Sequence, residues 1–330
     1  MEERDEESGR FVCDFVERLP TTDTGKPFRL YEWQRETLME FYSTMERDEE
    51  SGRLLRKYQY LYLEIPKKNG KSELSAALGL YHLFGDGELN AEVYLCAADK
   101  DNAGIVFRAA VFMLETAPWT AKMIARGELK VVRSQKRIEY RRRVKAENGG
   151  LRWVTVGLMQ VLSSESYSKH GYKPSCVIFD ELHAQPNRLL YDVMTHGSGD
   201  ARKQPLFFLI TTAGTDRNSI CWEVHQKAED ILAGRKNDPT FYPVIYGIDD
   251  DADWSDERNW YKANPSLDVT VDVEKLRAAY QSAKDNPAEE NLFRQLRLNQ
   301  WVKQSVRWMP MDAWDKCDTL VNPETLIGRE

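Results

Sequence analysis

The stretch Tyr58-Gln-Tyr-Leu-Tyr-Leu-Glu-Ile65-Pro-Lys-Lys-Asn-Gly-Lys-Ser72 changes character halfway along. Up to Ile65 it is rich in aromatic and aliphatic side chains, as a strand is. From Ser72 to Phe84, Leu74, Ala77, Leu78 and Tyr81 recur at helical spacing. Pro66, Lys67, Lys68, Asn69, Gly70, Lys71 and Ser72 therefore lie where a strand hands over to a helix, with Glu73 in the helix's first turn. At such a junction loop N–H groups and the positive helix end converge on an anion. Lys71 would add a point charge to the β- and γ-phosphates, and Ser72 a hydroxyl to a magnesium ion. Ile65 stands where the standard phosphate loop has its first glycine. Asn69-Gly70 also reads as a hairpin turn, but the helical period after Ser72 favours the loop.

Further along, Ala91-Glu-Val-Tyr-Leu-Cys-Ala-Ala98 reads as a strand, and a helix is expected from an Asp99 cap to about Glu115. Strand-like pieces follow at 128–133, 136–143 and 151–157. Cys176-Val-Ile-Phe179 and Leu206-Phe-Phe-Leu-Ile210 are nearly continuous apolar runs, the mark of central parallel strands covered on both faces. The expectation is an α/β phosphate-loop NTPase fold with a mainly parallel sheet flanked by helices. The first run ends in Asp180-Glu181, which supplies one carboxylate for a Mg²⁺ shell and one to deprotonate an attacking water. Together with Lys71 and Ser72 this predicts a Mg²⁺-dependent nucleotide triphosphatase. The second run ends in Thr211-Thr212-Ala213-Gly214, where a hydroxyl could hold the water or sense the γ-phosphate; a plain strand end reads equally well. Gln34, on a helix from Trp33 to Tyr42, could read an adenine edge.

The 330-residue chain as a whole sets bounds. Its net charge of -7 excludes a globally basic nucleic-acid coat. Arg133 to Lys145 nevertheless carries seven basic residues and one acid, either a phosphate track or a solvated face. Cys13, Cys96, Cys176, Cys221 and Cys317 are scattered and odd in number, as in a reducing compartment. No apolar run approaches the roughly 18 residues of a membrane span, so a cytosolic protein is expected. Glu-Arg-Asp-Glu-Glu-Ser-Gly-Arg occurs at 3–10 and again at 46–53, and reads as two acidic connectors. Asp249, Asp250, Asp251 and Asp253 fail calcium-loop spacing, with Trp254 where glycine is required, and read as a linker. Helices are expected at 272–284 and 288–303. The division is a phosphate-loop domain at 1–247, with an adenine-side segment 11–57 and a core 58–247, and a smaller helical linker or lid at 248–330.

Pro66 to Ser72, Val177-Ile-Phe-Asp-Glu-Leu-His183, Thr211-Thr-Ala-Gly214, Ala263-Asn-Pro-Ser-Leu267 and Asn299-Gln-Trp-Val302, in that order, resemble the large terminase subunit of tailed bacteriophages. The resemblance runs from about Phe11 to Cys317. It implies an ATP-driven motor that moves double-stranded DNA into a procapsid in the host cytoplasm. Implied partners are DNA, the portal, the small terminase subunit and further copies in a ring, expected to be a pentamer; no membrane is implied. Gln34 becomes the adenine-reading position, Lys71 and Ser72 part of Walker A, Asp180 and Glu181 Walker B, and Thr211 to Ala213 the coupling motif. The charge-stabilising finger stays open among Lys67, Lys169 and an arginine such as Arg133, Arg137 or Arg141. Arg141, Arg142, Arg143 and Lys145 are candidate DNA contacts. Relatives also carry a nuclease domain; this chain is expected to stop in the connector before it and to show no nuclease activity. Asp180-Glu-Leu-His183 also spells a DExH helicase box, and Ile65 would suit a non-catalytic nucleotide-binding scaffold.

Overall fold

The structure is a computed structural model that describes residues 2–98, 103–146, 149–164, 171–196 and 202–302. The chain opens with β1 (Glu2–Arg4), α1 (Glu6–Glu17) and α2 (Glu32–Ser43), then β2 (Thr44–Arg47) and β3 (Leu54–Arg56). β1, β2 and β3 form a small antiparallel sheet, so the repeated octapeptide is not a pair of connectors. In both copies the aspartate accepts from the serine three residues on: Asp5 from the Ser8 N–H and hydroxyl, Asp48 from those of Ser51. The first copy continues into α1. In the second, Gly52 takes φ 67° and Arg53 leads into β3. One local sequence starts the same cap twice, and its surroundings decide whether a helix follows.

The main sheet contains β4 (Tyr60–Glu64), β5 (Ala91–Ala97), β6 (Leu129–Val132), β7 (Arg137–Lys145), β8 (Leu151–Ser163), β9 (Cys176–Asp180), β10 (Leu206–Thr211) and β11 (Phe241–Ile245). Its order is β11-β4-β10-β9-β5-β8-β7-β6, parallel from β11 through β8 and antiparallel over the last two pairs. Every residue of β9 and β10 is buried, as the unbroken apolar runs require. Cys176 and Ile178 face one core cluster, shared with α1, α2, α3 (Lys71–Leu80) and α4 (Ala103–Thr116). Val177 and Phe179 face the other, shared with α6 (Leu189–Thr195) and α7 (Ile220–Leu232). Between α4 and β6 lies α5 (Pro118–Ala125). Each large apolar side chain so enclosed contributes about 1.5–3 kcal/mol.

Three elements differ from expectation. β8 extends to Ser163, because its second half pairs with β5 while β7 covers its other edge. α3 stops at Leu80 and passes into a π-helical turn, Tyr81–Gly85. The last helix ends at Leu298 rather than 303, because Asn299 adopts the left-handed conformation at φ 54°, ψ 40°.

Beyond β11, α8 (Glu257–Ala263), α9 (Val273–Lys284) and α10 (Pro287–Leu298) enclose a third cluster. Trp260 is its centre, with ring centroids 5.4 Å from Tyr280 and 5.8 Å from Phe293. Trp260→Ala should lower unfolding stability by about 3–5 kcal/mol, read by urea denaturation; a loss below about 1 kcal/mol would show that the cluster closes over the gap.

Candidate active site

β4, β10 and β9 end side by side, with Glu64 opposite Thr211 and Ile210 opposite Asp180. A cleft of about 870 Å³ opens at these tips, lined by Lys67, Lys68, Gly70, Lys71, Ser72, Glu73, Glu181 and the turn Thr21–Tyr31. Gly70, at φ 84°, caps α3; a side chain there would also crowd Gln34 Nε2 at 3.3 Å.

Lys71 is 5% exposed. Its ammonium donates to the Ile65 carbonyl (2.8 Å) and to Thr212 Oγ1, and lies 3.9 Å from Glu181 Oε1. Burial lowers its pKa, and the charges of Glu181 and Asp180 oppose that shift. Ile65 thus serves the loop through its carbonyl while its side chain fills the core, which accounts for the missing glycine. Ser72 Oγ donates to Asp180 Oδ2 at 3.2 Å, and Asp180 Oδ1 is buried without a partner. Burial and the Glu181 charge raise the Asp180 carboxyl to about 6. Burial pushes Glu181 the same way, but His183, Lys71 and Lys67 outweigh it and hold Glu181 at about 2. The two neighbouring acids are therefore set apart by their surroundings. An orphaned carboxylate oxygen beside a hydroxyl is a hard oxygen donor set that fits Mg²⁺.

The other expected residues fall around this centre. Thr211 Oγ1 accepts from the His183 N–H at 3.0 Å, and Thr212 Oγ1 donates to the Ile65 carbonyl at 3.3 Å. Gln34 is fully buried; its Oε1 accepts from the Tyr31 N–H, and its Nε2 has no partner. Glu73 holds the Thr21–Tyr31 turn by accepting from the Thr22 N–H at 2.6 Å and from its hydroxyl. Asn69, also fully buried, donates to the Asn264 side chain (3.0 Å) and to the Pro66 carbonyl (3.3 Å). Lys67 reaches the C-terminal helices through its N–H to the Leu296 carbonyl. The Lys68 carbonyl accepts from Thr270 Oγ1 in the loop between α8 and α9.

The basic strip lies elsewhere. β7 is separated from β9 by β8 and β5, so Arg133, Arg137 and Arg141 do not reach the cleft of their own chain. Arg133 pairs with Glu115 at 2.5 Å, and Arg137 pairs with Glu139. Arg141 and Arg143 lie over the Trp153 ring, at 5.0 and 4.8 Å, and Arg142 over Tyr140 at 5.6 Å. Lys145 is exposed at the end of β7. Lys169 lies outside the described residues. The acids read as a linker pair singly, Asp249 with Lys262 and Asp250 with Arg217. Among the described residues no three His, Cys, Asp or Glu are grouped to hold a metal, and no helix is long and apolar enough to cross a membrane.

Sequence reasoning passed over Glu64, the last residue of β4. It is fully buried, yet its carboxylate accepts from Tyr62, Asn299 (3.2 Å) and Trp301 (3.2 Å) and meets His225 Nδ1 at 2.9 Å. Its only signal was an acid within an apolar strand, which ordinarily marks the strand's end.

The fold is that of a phosphate-loop NTPase, and the cleft gathers a lysine, hydroxyls and paired acids at the tips of β4, β10 and β9. The family model for the ATPase domain of the terminase large subunit matches residues 32–230, and the chain belongs to that family. It is 27% identical over 319 residues to the terminase large subunit of Enterobacteria phage HK97, covering 94% of this chain and 56% of that protein. It is 33% identical over 148 residues to Protein YmfN of Escherichia coli K12, covering 45% of this chain and 32% of that one. The crystal structure of the HK97 bacteriophage large terminase superposes with a TM-score of 0.71 at 25% identity, covering 94% of this chain and 59% of that one. The large terminase ATPase domain of Thermus phage P74-26 shares the fold, with a TM-score of 0.50 at 16% identity, covering 74% of this chain and 90% of that one. The chain thus spans between a third and just over half the length of the curated relatives it matches.

A second family model, for the terminase large-subunit endonuclease domain, matches residues 235–330. This corrects the expectation that the chain stops before any nuclease region and shows no nuclease activity. The described part of that range is β11 and three helices.

Burial lowers the pKa of the His225 imidazole, but its bond to Glu64, with Glu229 and Asp250 nearby, raises it overall. A raised folded pKa gives stability that is complete below the unfolded value of about 6.5 and is lost as pH rises through the folded one. The stability gap between wild type and His225→Gln should therefore narrow as pH rises above the unfolded value of about 6.5 in urea titrations. A gap that widens contradicts this.

Proposed function

We propose that this chain is the ATP-hydrolysing motor of a terminase, coupling Mg²⁺-dependent ATP hydrolysis to movement of double-stranded DNA into a procapsid. The observation that carries this reading is the meeting of Lys71, Ser72, Asp180, Glu181 and Thr212 at the tips of β4, β9 and β10. Ser72 and Asp180 would hold Mg²⁺, which when bound neutralises charge on the β- and γ-phosphate oxygens. Lys71 turns from Ile65 and Thr212 toward the phosphates, and Gly70 lets them approach the loop N–H groups. Glu181 orients and deprotonates the attacking water, with His183 holding its carboxylate. Gln34 offers its free Nε2 to the base, and Thr211 and Thr212 report the γ-phosphate. Lys67, on the cleft wall, and Lys169, outside the described residues, are the finger candidates within the chain. An arginine of the 133–143 run would act only on a neighbour's nucleotide. The division near residue 247, the ring, the portal, the small subunit and the host cytoplasm belong to the same proposal.

Lys71→Ala should abolish ATP binding and turnover. Glu181→Gln should retain nucleotide and slow hydrolysis by about 10²–10⁴. Nucleotide-binding titrations and phosphate release check both, and wild-type turnover by purified Glu181→Gln would remove Glu181 from the base role. Chelation with EDTA should stop turnover and added Mg²⁺ restore it; turnover that survives chelation would exclude the Ser72–Asp180 metal site.

Arg141, Arg142, Arg143 and Lys145 form the proposed DNA-binding strip, with two guanidinium groups pre-oriented on Trp153. Replacing all four by Gln should flatten the plot of log affinity for DNA against log salt by about 0.9 for each phosphate no longer neutralised. An unchanged slope would return the strip to a solvated face.

A further inference from the structure

Two motifs stand outside the chemistry above, Ala263-Asn-Pro-Ser-Leu267 and Asn299-Gln-Trp-Val302. Both belong to the C-terminal helical segment, yet the first meets the Asn69 side chain of the loop and the second the Ala213 backbone after β10. At the phosphate loop, Asn264 accepts from Asn69, and the Ser266 N–H donates to Asn69 Oδ1 at 3.3 Å. Ser266 Oγ in turn accepts from Trp33 Nε1 on α2 at 2.8 Å. At the third strand tip, both polar groups of one peptide residue are taken. The Ala213 N–H donates to Asn299 Oδ1 at 2.6 Å, and the Ala213 carbonyl accepts from Gln295 Nε2 at 2.9 Å.

Gln295 lies in the last turn of α10 and Asn299 is its left-handed cap, and both side chains reach Ala213. The Asn299 amide is also bonded to Glu64 and to the Tyr246 carbonyl (2.7 Å), which ties it to the end of β4. The Trp301 ring lies so close to Gly214 that a Cβ there would come within 2.8 Å of it.

We infer that the grip of Asn299 and Gln295 on Ala213 transmits occupancy of the phosphate cleft to α10, making them positioning residues. The inference rests on the ATP-binding reading above. Lys71 is bonded to Thr212 Oγ1, one residue before Ala213. A lysine drawn to a phosphate gives up that bond, and the Thr212 hydroxyl and the following peptide must settle anew. The Ala213 N–H and carbonyl are buried and already satisfied. Moving them alone would strand two polar groups away from water; moving them with Gln295 and Asn299 carries the end of α10 along.

The test is amide hydrogen exchange on the full chain with and without ATPγS and Mg²⁺, beside a titration of ATPγS affinity. In wild type, exchange between residues 289 and 299 should change by about 5-fold or more on nucleotide binding. The Asn299→Gly, Gln295→Ala double variant keeps a residue suited to the left-handed position. It should bind ATPγS within about 5-fold of wild type and lose the α10 response. Gln295→Ala alone, on the partly exposed helix surface, should halve the response at least and carries the test should the double variant fail to fold. Wild-type α10 indifferent to bound nucleotide, or an undiminished response in Gln295→Ala, overturns the inference while leaving ATP binding intact. Wild type that binds no ATPγS overturns both readings.

Discussion

The architecture depends on enclosing one ammonium group. A cation as buried as Lys71 must be surrounded by acceptors, because desolvation without them would neutralise it. Those acceptors come from separate segments: the Ile65 carbonyl after β4, the Thr212 hydroxyl after β10, and the Glu181 carboxylate after β9. They can meet only if the three strands are parallel, adjacent and in the register that sets Glu64 beside Thr211 and Ile210 beside Asp180. The unbroken apolar runs let β9 and β10 lie covered on both faces, and each run gives way at its tip to the polar residues Asp180 and Thr211.

The C-terminal segment is built into this site rather than appended to it. Asn69 of the phosphate loop is buried against Asn264 and Ser266, and Glu64 is satisfied partly by Asn299 and Trp301. The change of sequence texture near residue 247 is real, but the hydrogen bonds cross it. The basic strip on β7 stands apart at the other edge of the sheet, where Arg141 and Arg143 are held over Trp153. A chain with a net charge of -7 thus carries its arginine-rich strip on a strand separated from β9 by two others.

What the sequence made legible was what local pattern controls. Lys71, Ser72, Asp180 and Glu181 could be placed because each sits where a change of periodicity marks a strand tip or helix start. The central strands were legible as apolar runs. Glu64, Asn264 and Asn299 were not, because their roles depend on partners such as Asn69–Asn264 and Glu64–Trp301, 195 and 237 residues apart. The octapeptide shows the same limit at short range: Asp5 and Asp48 make the same cap, and only the tertiary setting separates helix from turn. The basic strip was legible as charge, but its distance from the cleft follows from strand order. The nuclease-family match over 235–330 left no trace in motif spacing.

The most direct test of the motor reading is a crystal structure of the chain with Mg²⁺ and ATPγS. The triphosphate should lie along the loop from Lys68 to Ser72, with Lys71 Nζ moved from Thr212 Oγ1 onto the phosphates and the metal between Ser72 Oγ and Asp180. Nucleotide bound outside this cleft, or Lys71 still held by Ile65 and Thr212 with the phosphates elsewhere, would contradict it.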